Sequence, residues 1–325
     1  MISHASGGGP CSVRARPWPV ARAGQRRPAA SHVCARTPDQ VVLNCACAYA
    51  VDQSMHAVDI ADQLSRLPAQ PTAALLVLRV VEDPDASPAE LGRIVAMDPA
   101  LSVRVMRLAN APHNGPGSVV HSAERAVYQL GFTTVKAIAA AAASTLLADD
   151  VRLGPPSYWI HSIAVASGAA VASDVLGIAE NEAFSAGLLH DIGSAVLHRS
   201  DPARYDDMVA GVSPGQLGRA ERELFGTTHP ETGARALELW HFPPPLVEAI
   251  RDHHEPVSSA SPLTQAVILG EALAERVEPL HLAEGSPRLG ETVAALGLAP
   301  AHERMLVERT RSEIDKIAAF LGVVR

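Results

Sequence analysis

Apolar residues recur at three- and four-residue intervals along most of the chain, and this spacing predicts amphipathic helices. Start signals precede several of these segments: Ser87 and Asp98 each stand before a proline, and Ser122 precedes another apolar run. Asn110 and Gly131 are stop signals, with Gly131 expected in the left-handed conformation. The pattern therefore predicts consecutive helices joined by short loops.

The segment AFSAGLLHDIGSAVLH has His190 and Asp191 in the middle of an otherwise apolar helical pattern. One face, which includes Leu189 and Gly193, is expected to pack inward and to carry the imidazole and the carboxylate with it. Unpaired, these two groups would cost roughly several kcal/mol to bury. The pattern therefore predicts either a metal ion or a hydrogen-bonded network around them.

The composition favours an all-α protein. The chain has 325 residues, 47% of them hydrophobic but only 4% aromatic, which suits tightly packed helices better than a sheet. No uninterrupted apolar run reaches the length of a membrane helix, so no membrane contact is expected. The net charge of −8 speaks against a general attraction to nucleic acids.

The first 55 residues differ from the rest, because they are rich in arginine, proline and glycine and lack helical periodicity. They are predicted to be a disordered extension, or to precede a true start near Met55. All the cysteines lie in this region, so none can cross-link the helical part, and a reducing cytoplasmic location is expected. They are Cys11, Cys34, Cys45 and Cys47.

Five motifs follow one another along the chain: DPALSVRVMRLANA, SAERAVYQLGFTTVKAI, LLHDIG, GTTHPETGARALELW and IRDHHEP. In this order they resemble the HDOD domain, the HD-related output domain of bacterial signalling proteins. The first motif contains Asp-Pro-Ala-Leu and Leu-Ala-Asn elements that ordinary HD phosphohydrolases lack. The resemblance implies a two-lobed, all-helical fold of the HD superfamily and a regulatory role.

The predicted HDOD domain spans residues 56–258, with an N-terminal lobe at 56–150 and an HD-like lobe at 151–258. Helices at 259–325 are expected to pack on the HD-like lobe or on a second copy. In the last helix the predicted apolar face comprises Met305, Val307, Ile314, Ile317 and Leu321. Three aromatic residues are predicted to be core or inter-lobe anchors: Tyr128, Trp159 and Trp240.

Histidines of the HD-like lobe fall at helix ends or on inner helix faces. Catalytic HD enzymes have a His, then His-Asp, then a distal Asp, and the resemblance implies a corresponding metal-binding set here. Imidazole and carboxylate ligands suit Fe, Mn or Zn, whereas no organic cofactor is expected. The candidate ligands are His161, His190, Asp191, His229, His253 and His254, with Glu271 near the place of the distal Asp. For each histidine alone, a hydrogen-bonded helix-end role stays open.

The sequence departs from the branch that hydrolyses cyclic dinucleotides. Ser194 stands where that branch has a lysine, Ser157 stands near the place of an acidic ligand, and no Gly-Tyr-Pro follows His254. Phosphodiester cleavage needs cationic groups for the developing charge and an open metal position. These departures weaken both requirements.

Two function classes follow. The first is a non-catalytic regulatory module that binds a signalling protein or a small signal ligand, with no catalytic residue expected. The second is a metal-dependent phosphohydrolase in which His190 and Asp191 would be catalytic. A nucleic-acid-binding role for the basic N-terminus is disfavoured, and homo-oligomerisation is left open.

Overall fold

The computed structural model describes residues 71–112, 119–146, 157–277 and 289–321. These ranges are helical and contain no strand, so the all-α prediction is confirmed. The extension predicted at residues 1–55 lies outside the described residues.

Four helices build the N-terminal lobe (residues 71–146). The predicted start signals act as caps: the Ser87 hydroxyl accepts from the Glu90 N–H at 3.1 Å, and Asp98 Oδ1 accepts from the Leu101 N–H at 2.7 Å. Leucine, valine and alanine side chains fill the space between these helices. The helices are α1 (Pro71–Val81), α2 (Pro88–Ala96), α3 (Pro99–Ala109) and α4 (Ala123–Leu146).

Gly131 interrupts α4, as the sequence predicts, but not in the conformation expected. Its φ of 75° is positive whereas its ψ of 168° is extended, so the residue lies outside the left-handed helical region. The chain kinks there and continues as a helix. The Ser122 hydroxyl caps the first part of α4 by accepting from the Arg125 N–H at 3.2 Å.

The second lobe (residues 157–277) is arranged around one alanine-rich helix, α5 (Tyr158–Leu176). Its neighbours α6 (Glu180–Leu189) and α12 (Pro262–Val277) lie very close to it: a Cβ added to Gly187 would lie 2.8 Å from Ala166 Cα, and one added to Gly168 would lie 2.8 Å from the Gly270 carbonyl oxygen. The other helices follow in order. The lobe comprises α5 (Tyr158–Leu176), α6 (Glu180–Leu189), α7 (Ile192–Ser200), α8 (Pro202–Gly211), α9 (Leu217–Phe225), α10 (His229–Leu239), α11 (Pro244–Asp252) and α12 (Pro262–Val277).

Helix α5 alone among the described helices is long and apolar enough to cross a membrane by length and composition, with a mean hydropathy of 1.3. Of the 18-residue apolar stretch in this helix, 67% is buried inside the protein. This burial is what the central helix of a helical bundle requires.

The helix expected across His190 and Asp191 is broken in the structure. Helix α6 ends at Leu189 and α7 begins at Ile192, so the dipeptide forms a corner between them. Close packing requires this turn: a Cβ on Gly193 would come 1.9 Å from the His229 carbonyl oxygen, because α7 lies directly on the start of α10. Gly193 therefore serves helix packing, and the corner places its two polar side chains beside α10.

Two further helices, α13 (Leu289–Ala295) and α14 (Pro300–Leu321), cover α5 and α12. Ile314 is buried and Ile317 is partly buried, in agreement with the predicted face. Leu306 is fully buried although the predicted face omitted it. The inward positions are spaced by four residues from Leu306 to Ile314, so the helix is rotated slightly from the predicted orientation.

Two of the three predicted aromatic anchors join the lobes. The Trp159 indole N–H donates to the Met97 carbonyl at 3.1 Å, and Arg107 lies 4.3 Å from the ring centroid of buried Trp240. The prediction is wrong for Tyr128, which is 67% exposed. Its neighbours at 126 and 127 occupy the inner face of α4, which turns the tyrosine toward solvent.

Candidate metal centre

The structure brings all seven predicted ligands together in the second lobe. Five segments that are distant in sequence supply them: the first turn of α5, the corner between α6 and α7, the first residue of α10, the end of α11 and the middle of α12. We call this group the histidine cluster. Its members are His161, His190, Asp191, His229, His253, His254 and Glu271.

The Asp191 carboxylate lies at the centre and faces two sets of imidazoles. Its Oδ2 lies 4.0 Å from Nε2 of His161 and 3.6 Å from Nε2 of His190. Its Oδ1 lies 3.3 Å from Nε2 of His229 and 3.6 Å from Nε2 of His253. A single carboxylate therefore connects both sets.

The cluster accordingly has two halves, in each of which three ligand atoms lie within 4.8 Å of one another. The first half consists of His161, His190 and Asp191, and the second half consists of His229, His253 and His254. Glu271 extends the first half, since its Oε1 lies 3.6 Å from His190 Nε2.

Two imidazoles are oriented by hydrogen bonds to main-chain carbonyls outside the cluster. His190 Nδ1 lies 2.7 Å from the Gly187 carbonyl, and His253 Nδ1 lies 2.8 Å from the Ile250 carbonyl. These oxygens only accept, so each Nδ1 carries the proton and donates. Each Nε2 then presents a lone pair to the cluster, which is how metal-binding histidines are held.

Two buried atoms of the cluster that lack a hydrogen-bond partner also indicate a cation site. Asp191 Oδ1 and His253 Nε2 are both buried and have no hydrogen-bond partner among the described residues. Both atoms accept in this arrangement and neither donates, so they cannot satisfy each other across 3.6 Å. A bound cation would satisfy both, and the His and Asp groups could hold one.

Burial and neighbouring charges set the protonation of the cluster. Burial lowers the pKa of His190 to about 3, so this imidazole is neutral and ready to act as a ligand. Burial opposes ionisation of Asp191, but the adjacent histidines hold its pKa well below the usual range. Burial raises the pKa of Glu271 to about 7.

His229 behaves differently. Burial acts to lower its pKa, but Glu221 and Asp191 together raise the pKa to about 9. In the metal-free protein a proton therefore stays on this imidazole near neutral pH. Because a metal ligand must give up that proton, cation binding here would release it.

Sequence reasoning missed Glu221, which contacts the cluster from outside. Its buried Oε2 lies 2.7 Å from His229 Nδ1. A signal was present in the sequence: Glu221 shares the apolar face of α9 with Leu217, Ala220 and Leu224, where a carboxylate is out of place.

Two serines stand where the cyclic-dinucleotide branch has charged residues. Ser194 of α7 is buried. Ser157 is exposed and precedes α5 with a left-handed φ of 67°. Neither residue adds a charge to the cluster.

The family model of the HDOD domain matches residues 67–256 of the chain. A curated relative, an uncharacterized protein of Treponema pallidum (strain Nichols), is 25% identical over 209 residues. That match covers 61% of this chain but only 39% of the relative's own length.

Two solved structures share the fold. The MmoQ response regulator of Methylococcus capsulatus str. Bath is 27% identical with a TM-score of 0.60, over 74% of this chain and 97% of that one. A virulence factor of Campylobacter jejuni subsp. jejuni is 16% identical with a TM-score of 0.58, over 80% and 100%, and this likeness concerns the fold alone. Since the family model matches more than half of the residues, this chain belongs to the HDOD family.

Proposed function

We propose that this chain is a regulatory signal-transduction module whose histidine cluster binds a divalent cation, and that it acts by binding a signalling protein or a small signal ligand rather than by turnover. One observation carries the proposal. The candidate ligand His161 lies within the same helical turn as Trp159, whose indole N–H donates to the Met97 carbonyl of the N-terminal lobe.

This hydrogen bond offers a direct route between the lobes. Met97 immediately precedes Asp98, the residue that caps α3. A small displacement of the start of α5 would therefore reach the N-terminal lobe within two residues. Ile317 of α14 packs into the same apolar cluster as Met97 and Trp159, so the terminal helix would also respond.

The charges around the cluster support a regulatory role. Phosphodiester cleavage needs cationic side chains at the reacting group, yet the groups that lower the pKa of Asp191 are all histidines. Ser194 occupies the position of a lysine and is a buried, uncharged side chain. The likeness to a response regulator points in the same direction.

Imidazole and carboxylate ligands suit Fe, Mn or Zn. A bound cation would supply charge neutralisation at Asp191 and would tie five segments of the second lobe together. Because each half holds three side-chain ligands, both halves are candidates for one ion each. A cytoplasmic location and self-association are parts of the same proposal.

The test combines metal analysis, turnover and hydrogen exchange on the full chain. Protein purified without chelator should contain Fe, Mn or Zn and should show no turnover of cyclic dinucleotides or generic phosphodiesters. Adding the metal to chelator-treated protein should slow amide exchange in α3 as well as in the second lobe. Absence of metal, or exchange that changes only around the ligands, would overturn the regulatory proposal.

A metal-dependent phosphohydrolase is the second candidate, because the cluster is open on one side. The side chains of His161 and Asp191 are each 20% exposed, and His254 is exposed, so water and a substrate can reach them. A bound cation supplies Lewis-acid activation of water in such enzymes. The adjacent histidines hold the pKa of Asp191 well below its usual range, so Asp191 would stay ionised as a ligand near the opening.

Turnover decides between the two candidates. Hydrolysis of a cyclic dinucleotide or another phosphodiester that is lost in both His190→Ala and Asp191→Ala would establish the enzyme. The exposed variant Glu223→Gln is the matched control and should keep any such activity, since its carboxylate pairs with Arg219 on the surface of α9.

A further inference from the structure

Glu221 is a fully buried carboxylate that lies outside the cluster and receives three hydrogen bonds. Its Oε2 accepts from the His229 main-chain N–H at 2.8 Å and from His229 Nδ1–H at 2.7 Å. Its Oε1 accepts from the Tyr205 hydroxyl at 2.7 Å. Both oxygens are therefore engaged, and the charge lies in a fixed position behind one imidazole.

This arrangement distinguishes the two halves of the cluster. His190 and His253 are oriented by the neutral carbonyls of Gly187 and Ile250, whereas His229 is oriented by an ionised group. A carboxylate that accepts from Nδ1–H makes the opposite nitrogen a stronger electron donor to a metal. Charge-assisted hydrogen bonds also hold a ring more firmly than neutral ones.

The local fold explains why the carboxylate stays in place. His229 is the first residue of α10, where main-chain N–H groups have no partner within the helix, and Glu221 satisfies one of them. Tyr205, which donates to the other oxygen of Glu221, is buried as well. A continuous buried chain of hydrogen bonds thus runs from Tyr205 through Glu221 to His229.

We propose that Glu221 is a positioning residue that makes the second half of the cluster the tighter cation site. The first half then fills last, and it is the exchangeable site that responds to the signal. The inference rests on the proposed cation binding. It assigns regulation to the half that contains His161, the ligand nearest to the Trp159 contact between the lobes.

The experiment is a titration of chelator-treated full-length protein with Zn²⁺ against a chromophoric competitor. Wild type should bind two ions with distinct affinities. His254→Ala should remove the tighter event, and His161→Ala should remove the weaker one, which assigns each event to its half.

Glu221→Gln keeps the side-chain shape and removes the charge. Affinity at the second half should fall about 10- to 100-fold, while the first half changes little, because outer hydrogen-bond partners of metal ligands have effects of this size. Tyr205→Phe should cause a smaller fall at the same half. Glu223→Gln, two residues along α9 and exposed, is the matched control and should leave both events unchanged.

A purely structural role for Glu221 would weaken both halves together, and equal losses would therefore overturn the inference. Unchanged binding in Glu221→Gln would overturn it as well. If Glu221→Gln fails to fold, Tyr205→Phe decides: an equal effect on both halves, or none, contradicts the proposal. Wild-type protein that binds no cation at all would instead refute the proposed cation binding itself.

Discussion

The two lobes bury polar residues in different ways. In the N-terminal lobe, the Ser102 hydroxyl donates to the Val95 carbonyl at 3.0 Å, and the Asn110 amide exchanges two hydrogen bonds with the main chain of Val120. Asp98 caps α3 three residues away. Each of these side chains supports the backbone near it in sequence.

In the second lobe the members of the histidine cluster come from helices far apart in sequence and face one another. Asp191 Oδ1 and His253 Nε2 have no partner there, although both are buried. Polar side chains that hydrogen-bond the nearby backbone stabilise the fold. Hydrogen-bond acceptors that face one another indicate instead a binding site, here for a cation. The following predictions test this distinction.

Gly193→Ala should have the largest effect. The added Cβ would lie 1.9 Å from the His229 carbonyl oxygen and 2.7 Å from the Gly233 nitrogen, so α7 and α10 would have to separate. We expect a loss of about 3 kcal/mol or more in unfolding free energy, measured by urea denaturation, together with loss of cation binding.

The control for this substitution is Gly218→Ala on α9. The nearest atom to its added Cβ is Thr228 Cγ2 at 3.8 Å, an ordinary contact. It should raise stability by up to about 1 kcal/mol, because alanine is a better helix former. If both variants behaved alike, the close contact between α7 and α10 would not be what holds the cluster together.

Asp191→Asn and Asp98→Ala compare one carboxylate from each lobe. Asp191→Asn removes the charge shared by both halves, so cation affinity should fall at least about 100-fold. Asp98→Ala removes a helix cap and should lower the unfolding free energy by about 1 to 2 kcal/mol without changing cation affinity. Isothermal titration and urea denaturation measure the two effects, and the reverse pattern would refute the comparison.

The N-terminal lobe could be predicted in detail because its signals are local. Capping by Ser87, Asp98 and Ser122 depends on residues within three positions, and the structure has all three caps. The family resemblance supplied the members of the histidine cluster, but no local pattern could show that they converge.

Other features depend on packing between distant helices, which the sequence does not display. The break at His190 and Asp191 arises because α7 lies on α10, a contact that only Gly193 permits. The role of Glu221 depends on the same arrangement, although its place on an apolar face was a readable signal. The prediction for Tyr128 is wrong because an aromatic side chain favours burial, whereas its position on α4 turns it toward solvent.

The stability of the metal-free protein should fall in alkaline solution because of the second lobe. The pKa of His229 is raised from an ordinary 6.5 to about 9, so its stabilising contribution is complete below pH 6.5 and is lost as the pH rises through 9. The expected loss is roughly 3 kcal/mol in unfolding free energy. Glu271, with a pKa of about 7, adds a loss in the same direction at lower pH.

Urea denaturation of chelator-treated protein at a series of pH values measures this loss. His229→Gln should be less stable near neutral pH and should show a flatter profile above pH 7, since the group that titrates is gone. A wild-type profile that stays flat through pH 9 would contradict the charged pair of His229 and Glu221.

Trp159→Phe should have the smallest effect on stability. It should also stop cation binding in the second lobe from affecting the N-terminal lobe. Phenylalanine keeps most of the apolar contact but cannot donate to the Met97 carbonyl, which should reduce the unfolding free energy by about 1 kcal/mol. Cation affinity should be unchanged, because His161 keeps its place in the first turn of α5. The slower amide exchange expected in α3 on cation binding should disappear. If α3 still responded in this variant, the coupling would run through another contact, such as Arg107 on Trp240.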